Sequence, residues 1–184
     1  MKPWMILAPL AFAASAHATE LNLGAHLEGS PLVLSKLSPD GGWLAGAAVH
    51  ATWRLGPVLD VGIELGWSAN AGWDDDASEP GRLDLTRVVG QVGWGKQLGD
   101  VRLVLALEAG VGLPDRSDAH PEATASPAGT VGLLGGAEWA VGSGLELVAQ
   151  LGGRMSVWSV EDGEGGDPQG QLAFPVRLGV QYRF

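Results

Sequence analysis

Hydrophobic and polar positions alternate with a period of two along most of the chain. Over residues 101–113, Val101, Leu103, Leu105, Leu107, Ala109, Val111 and Leu113 share one face. Arg102, Val104, Ala106, Glu108, Gly110 and Gly112 share the other. Successive side chains of a strand point to opposite faces, so this pattern predicts a β-strand with two unlike sides. The alternation recurs over residues 20–29, 43–53, 58–67, 83–94, 128–139, 145–158 and 171–184, which predicts eight strands in all. The stretch 83–94 is the least regular, because Leu85 and Val89 share a face with Arg87 and Gln91. No helical period emerges beyond residue 19.

Connection lengths carry topology. Strand starts at 20, 43, 58, 83, 101, 128, 145 and 171 are spaced 23, 15, 25, 18, 27, 17 and 26 residues apart, so long and short steps alternate. The short connections are 54–57, 95–100 and 141–144; the long ones are 30–42, 68–82, 114–127 and 159–170. Up-and-down barrels of outer membranes have short periplasmic turns and longer extracellular loops. The expected fold is an all-β, eight-stranded antiparallel up-and-down transmembrane β-barrel with that arrangement.

Alternation alone also suits a soluble lipocalin-like barrel, which would turn its charges outward and its Leu/Val face inward around a ligand. Tryptophan placement separates the two. Trp43, Trp67 and Trp158 fall at the loop ends of predicted strands, and Trp53, Trp94 and Trp139 at the turn ends. Aromatic side chains gather in such girdles at membrane interfaces. Trp43 and Trp53 are ten residues apart on one face; at roughly 3.3 Å per residue and a tilt of about 40°, that is about 25 Å of membrane. Phe174 and Phe184 repeat the spacing.

The opposite face mixes Gly and Ala with Glu28, Asp60, Glu64, Arg87, Arg102, Glu108, Glu138, Glu146, Arg154, Arg177 and Arg183, together with His26, His50, Gln91, Gln150 and Gln181. An eight-stranded barrel has an interior just wide enough for side chains to fill. The charged residues are therefore expected to pair inside it, from every strand but the second, and to plug it rather than line a pore.

The last strand carries Val176, Leu178, Val180, Tyr182 and the terminal Phe184. That alternation resembles the C-terminal signature of bacterial outer-membrane barrels, which their assembly machinery reads. The mature chain as a whole resembles the small barrels of the OmpX and OmpA-membrane-domain type. The resemblance implies a place in the bacterial cell outer membrane, contact with its lipid and lipopolysaccharide, assembly through the strand ending at Phe184, and a monomer. Pro175 departs from the pattern because it cannot donate to a sheet ladder; it is expected to mark a bulge or the start of regular pairing.

Composition narrows the remainder. The chain has 184 residues, 46% hydrophobic, with 29 Gly, 8 Trp and no Cys. A formal net charge of −10 argues against a nucleic-acid partner, whose phosphates need a basic face. Residues 1–18 read MKPWMILAPLAFAASAHA: Lys2, an apolar stretch from Trp4 to Ala14, and the small-x-small site Ala16-His17-Ala18. This is the pattern of a cleaved secretory signal, leaving a barrel domain over 19–184. Without cysteine, neither a lipoprotein anchor nor a disulfide framework is expected.

Candidate chemistry is sparse. His50-Ala51-Thr52 resembles the His-x-Ser of outer-membrane lipid A deacylases, but with Thr for Ser and with both groups on the charged face. Asp74-Asp75-Asp76 with Glu79, and Glu161-Asp162-Gly163-Glu164 with Asp167, are acidic clusters without EF-hand spacing; solvated loop charge accounts for them. His120 is isolated, and Gly132–Gly136 lies within a strand rather than between strand and helix, where a phosphate loop would sit. No catalytic, cofactor-binding or metal-ligating residue is assigned, and no enzyme is expected. The sequence points to a non-enzymatic barrel with a structural or surface-interaction role, with a narrow channel and a lipid-modifying enzyme as the alternatives.

Overall fold

The computed structural model describes residues 20–35, 42–71, 83–116, 124–161 and 166–184. Its strands are β1 (Glu20–Ser35), β2 (Gly42–Leu55), β3 (Leu59–Ala71), β4 (Leu83–Leu98), β5 (Val101–Arg116), β6 (Thr124–Ala125), β7 (Ala128–Ala140), β8 (Leu145–Glu161), β9 (Gly166–Ala173) and β10 (Val176–Arg183). These segments build eight staves, because β6 prolongs β7 and β9 prolongs β10 along the same neighbours. Every pairing is antiparallel. β10 pairs with β8 on one side and with β1 on the other, so the sheet closes.

Closure is what hydrocarbon demands. An unpaired edge would leave a row of N–H and C=O groups with no water to satisfy them. The turns are tight: Gly56–Val58, Gly99-Asp100 and residues 141–144 join successive staves. Gly56, Gly99 and Gly144 take φ values of 76°, 64° and 86° there, a region that glycine enters without a Cβ penalty.

The staves outrun the predicted strands at the loop end. β1 continues through Ser35, β3 through Ala71, β5 through Arg116 and β8 through Glu161, and residues 166–170 pair in β9. The alternation assigns these residues to the long connections. Antiparallel pairing continues wherever both partners run on, whatever the side chains, so alternation understates length. A stave of 16 residues, at roughly 3.3 Å per residue and a tilt of about 40°, stands about 40 Å tall. The apolar band needs only about 25 Å, so staves project beyond the membrane. At the turn end, residues 95–98 likewise belong to β4 rather than to a connection.

The two faces separate as expected. Leu103, Leu105, Leu107, Val111 and Leu113 point outward and are exposed, while Arg102, Ala106 and Glu108 are buried. The irregular fourth stave turns Leu85 and Val89 inward beside Arg87, all three buried. The described girdle residues Trp43, Trp67, Trp94 and Trp139 are exposed on the outside, and Trp53 is half-buried there. Trp73 and the side chain of Trp158 lie outside the described residues.

Pro175 proves different from either expectation. Ala173 pairs with Arg154 and Val176 with Leu151, so the stave keeps its register against β8 across the proline. Its carbonyl still accepts from the Gly152 N–H at 3.1 Å, and its ring is buried in the lumen. The irregularity lies opposite, between Leu32 and Leu34 of β1. Regular pairing therefore does not begin at Pro175 but continues past it through β9.

A closed barrel with this belt should migrate faster on electrophoresis before boiling than after. Leu107→Arg, on the outward face near the middle of the belt, should cost about 2–4 kcal/mol in vesicle-refolded protein. Val141→Arg, at a turn, should cost about 1 kcal/mol or less; urea titration followed by Trp fluorescence reads both.

Candidate functional site in the barrel lumen

Closing eight staves leaves a narrow interior, and this chain fills it with charge. The lumen is layered. Toward the loop end, Ser30, Ser68, Thr130 and Ser156 are buried, and the Thr130 and Ser156 hydroxyls lie 3.0 Å apart.

Below them sits a cluster of three carboxylates and three guanidinium groups, each at most 5% exposed. Arg177 from β10 is its hub. Its Nε donates to Glu28 at 3.0 Å, and its Nη2 donates to Glu108 at 3.0 Å and Glu64 at 3.2 Å. Arg87 donates to Glu28 at 2.7 Å and to Glu64 at 3.3 Å. Arg154 donates to Glu28 at 2.7 Å and also to Glu108. The bonds cross the lumen: Glu28 is on β1, Glu64 on β3 and Glu108 on β5. Formal charge within the set is balanced.

Toward the turn end a second cluster forms. Arg102 donates to Asp60 at 2.6 Å and to Glu138 at 3.2 Å. Arg54 donates to Glu20 at 2.8 Å and to Glu138 at 3.1 Å. Arg183 reaches Glu146 at 3.5 Å. Arg54 corrects the expectation that the second strand supplies no charge. The alternation places it in a connection, but β2 runs through Leu55, and Arg54 is 7% exposed. Its outward-facing neighbour Trp53 is the signal that could have placed it, since alternation turns the next residue inward.

Between the clusters lies a polar layer. Gln91 donates to Glu64 at 3.0 Å and Gln181 to Glu146 at 2.7 Å. Nε2 of His50 lies 3.2 Å from Oε1 of Gln181, and Nε2 of buried His26 lies 3.8 Å from Glu64. Thr52, Gln150 and Val104 also line this layer, around a cavity of about 30 Å³. That holds a water molecule and little more. His50 and Thr52 thus share the lumen wall, with His50 held by an amide rather than by the orienting carboxylate a nucleophilic triad uses.

Glycine makes the crowding possible. A Cβ at Gly66 would stand 2.9 Å from the Arg87 guanidinium carbon, and one at Gly132 would stand 2.6 Å from a Glu108 oxygen. Neither charged group could retreat without leaving its ion pairs.

Among the described residues, no group of three or more His, Cys, Asp or Glu is arranged to hold a metal ion. Asp74, Asp75, Asp76, Glu79, His120, Asp162 and Glu164 lie outside the described residues. Glu161 and Asp167 lie on paired backbone at the loop ends of β8 and β9.

No family model matches the chain, and no curated protein matches it. Solved structures do. Neisserial surface protein A aligns over 89% of this chain and 97% of its own, at 13% identity and a TM-score of 0.66. OprG from Pseudomonas aeruginosa aligns over 91% and 97%, at 8% identity and a TM-score of 0.56. Ail, the attachment invasion locus protein of Yersinia pestis, aligns over 90% and 98%, at 14% identity and 0.54. The chain has the fold of the small outer-membrane barrels. Sequence identity this low carries architecture alone. An apolar outer belt on that architecture is the surface a membrane-spanning barrel presents to lipid.

Arg177→Ala should leave three buried carboxylates facing only Arg87 and Arg154, with one negative charge uncompensated, and lower unfolding stability by about 3–5 kcal/mol, the cost of breaking a buried ion pair. Glu20→Ala, at the partly exposed end of the second cluster, should cost about 1 kcal/mol or less. Equal effects in urea titrations would contradict the layered assignment.

Proposed function

We propose that this protein is a closed, non-catalytic outer-membrane barrel that acts at the cell surface through the segments joining its staves at the loop end. The observation that carries this reading is the cross-lumen cluster of Glu28, Glu64 and Glu108 with Arg87, Arg154 and Arg177. A conducting pore keeps its charges hydrated. Here they are buried and spent on one another, and the polar layer beneath leaves only about 30 Å³. A barrel that neither conducts nor catalyses offers its environment the rigid presentation of what it displays outside.

The displayed segments are acidic: Asp74, Asp75, Asp76 and Glu79 in one, and Glu161, Asp162, Glu164 and Asp167 about another. The Ail structure was solved with a heparin analogue, sucrose octasulfate. A polyanion of that kind would be repelled here, so the fitting surface ligand is cationic. Assembly would run through β10, whose outward residues end in Tyr182 and Phe184, their rings 4.9 Å apart.

In planar bilayers the protein should show no steady conductance comparable to a general porin. Deleting residues 72–82 should abolish a cell-surface binding phenotype while leaving heat-modifiable migration intact. Steady porin-like conductance would overturn the plug and establish the channel alternative.

A further inference from the structure

The outer belt is not uniformly bulky. Across β10, β1, β2 and β3 it sinks into an apolar groove of about 590 Å³. Register explains its shape. Leu178, Leu27, Ala47, Trp67 and Thr86 follow one another across five staves, and Val180, Ala25, Val49 and Leu65 form the next row. Ala25 and Ala47 are diagonal neighbours that offer only methyl groups, so they form a floor. Leu27 and Leu178 stand up beside them as ridges, 70% and 64% exposed.

The groove also has polarity. Ala47 lies midway between Trp43 and Trp53, at the middle of the belt. Trp67 and Thr86 lie toward the loop end, within four residues of where β3 ends and β4 begins. They are register partners, so their Cβ atoms stand about 4.5–5.5 Å apart. Both are exposed on the outside, and both carry a donor, an indole N–H and a hydroxyl. Thr86 is a polar side chain within the apolar belt.

We infer that this groove seats the acyl chain of an outer-leaflet lipid, with the chain along Ala25 and Ala47 and its ester carbonyl toward Trp67 and Thr86. Three features select this occupant. The groove is continuous with a surface that already faces lipid. It runs from mid-belt to the loop-end girdle, the depth of one leaflet. Its apolar floor and single donor-bearing end match a molecule with an apolar tail and an acceptor at one end. A second copy of the barrel would bring a convex wall against a concave one and fill it poorly.

The test uses the full barrel refolded into dimyristoylphosphatidylcholine vesicles doped with a phosphatidylcholine carrying a mid-chain diazirine. Photolysis and peptide mass spectrometry should find adducts on β1–β3 several-fold above those at Leu107 and Leu133 on the β5–β7 face. Ala25→Leu with Ala47→Leu, which fills the floor, should reduce them to the level of that face. Leu27→Ala with Leu178→Ala, which removes the ridges without adding bulk, should do the same, and heat-modifiable migration verifies the fold of each variant. Even labelling around the belt would overturn the proposal. So would disulfide-linked dimers of Ala47→Cys in this cysteine-free chain, which would give the groove to a second copy.

Discussion

A backbone that crosses hydrocarbon must satisfy its own hydrogen bonds, and everything else in this structure follows from that requirement. It forces β10 onto β1, because an open eight-stranded sheet would carry two bare edges into lipid. Once closed at eight staves, the barrel has an interior too narrow for bulk water and too wide for backbone alone, so side chains must fill it. The choice of those side chains is where this chain acquires its individual character.

The filling is ionic rather than aliphatic. Leu85, Val89, Leu134 and Val148 contribute apolar volume, but the middle of the lumen belongs to Arg and Glu. Replacing a buried ion pair by well-packed apolar residues is often neutral or stabilising, so such a lattice is poorly explained as a source of net stability. Its geometry serves another end. Arg177 contacts carboxylates from β1, β3 and β5, and Arg154 contacts β1 and β5, so each cation braces staves on opposite walls. Small residues are the complement of that choice, since Gly66 and Gly132 leave the room that Arg87 and Glu108 occupy.

The outside obeys a different rule. There the partner is lipid, which any apolar side chain satisfies, so size varies freely: Gly29 and Ala47 sit on the same belt as Leu27 and Trp43. Trp43 bends over Gly29, its ring carbon 3.8 Å from where a Cβ would stand. Variation in bulk on a lipid-facing wall shapes that wall, and the depression across β1–β3 is one consequence of it.

What the sequence determined by itself was the alternation, and with it the fold class, the number of staves and the facing of nearly every luminal charge. Period two is a local property, and a membrane enforces it residue by residue. It also misled locally. Leu85 and Val89 blurred the fourth strand because a lumen accepts apolar filler, and Arg54 was lost to a turn because alternation does not mark where pairing ends. The tertiary structure alone decided who pairs with whom. Arg177 meets Glu28, Glu64 and Glu108 across 149, 113 and 69 residues of chain. Those contacts depend on how far each stave is staggered against the next around a closed ring. The stagger is a property of the whole circuit, so no single strand's sequence encodes it.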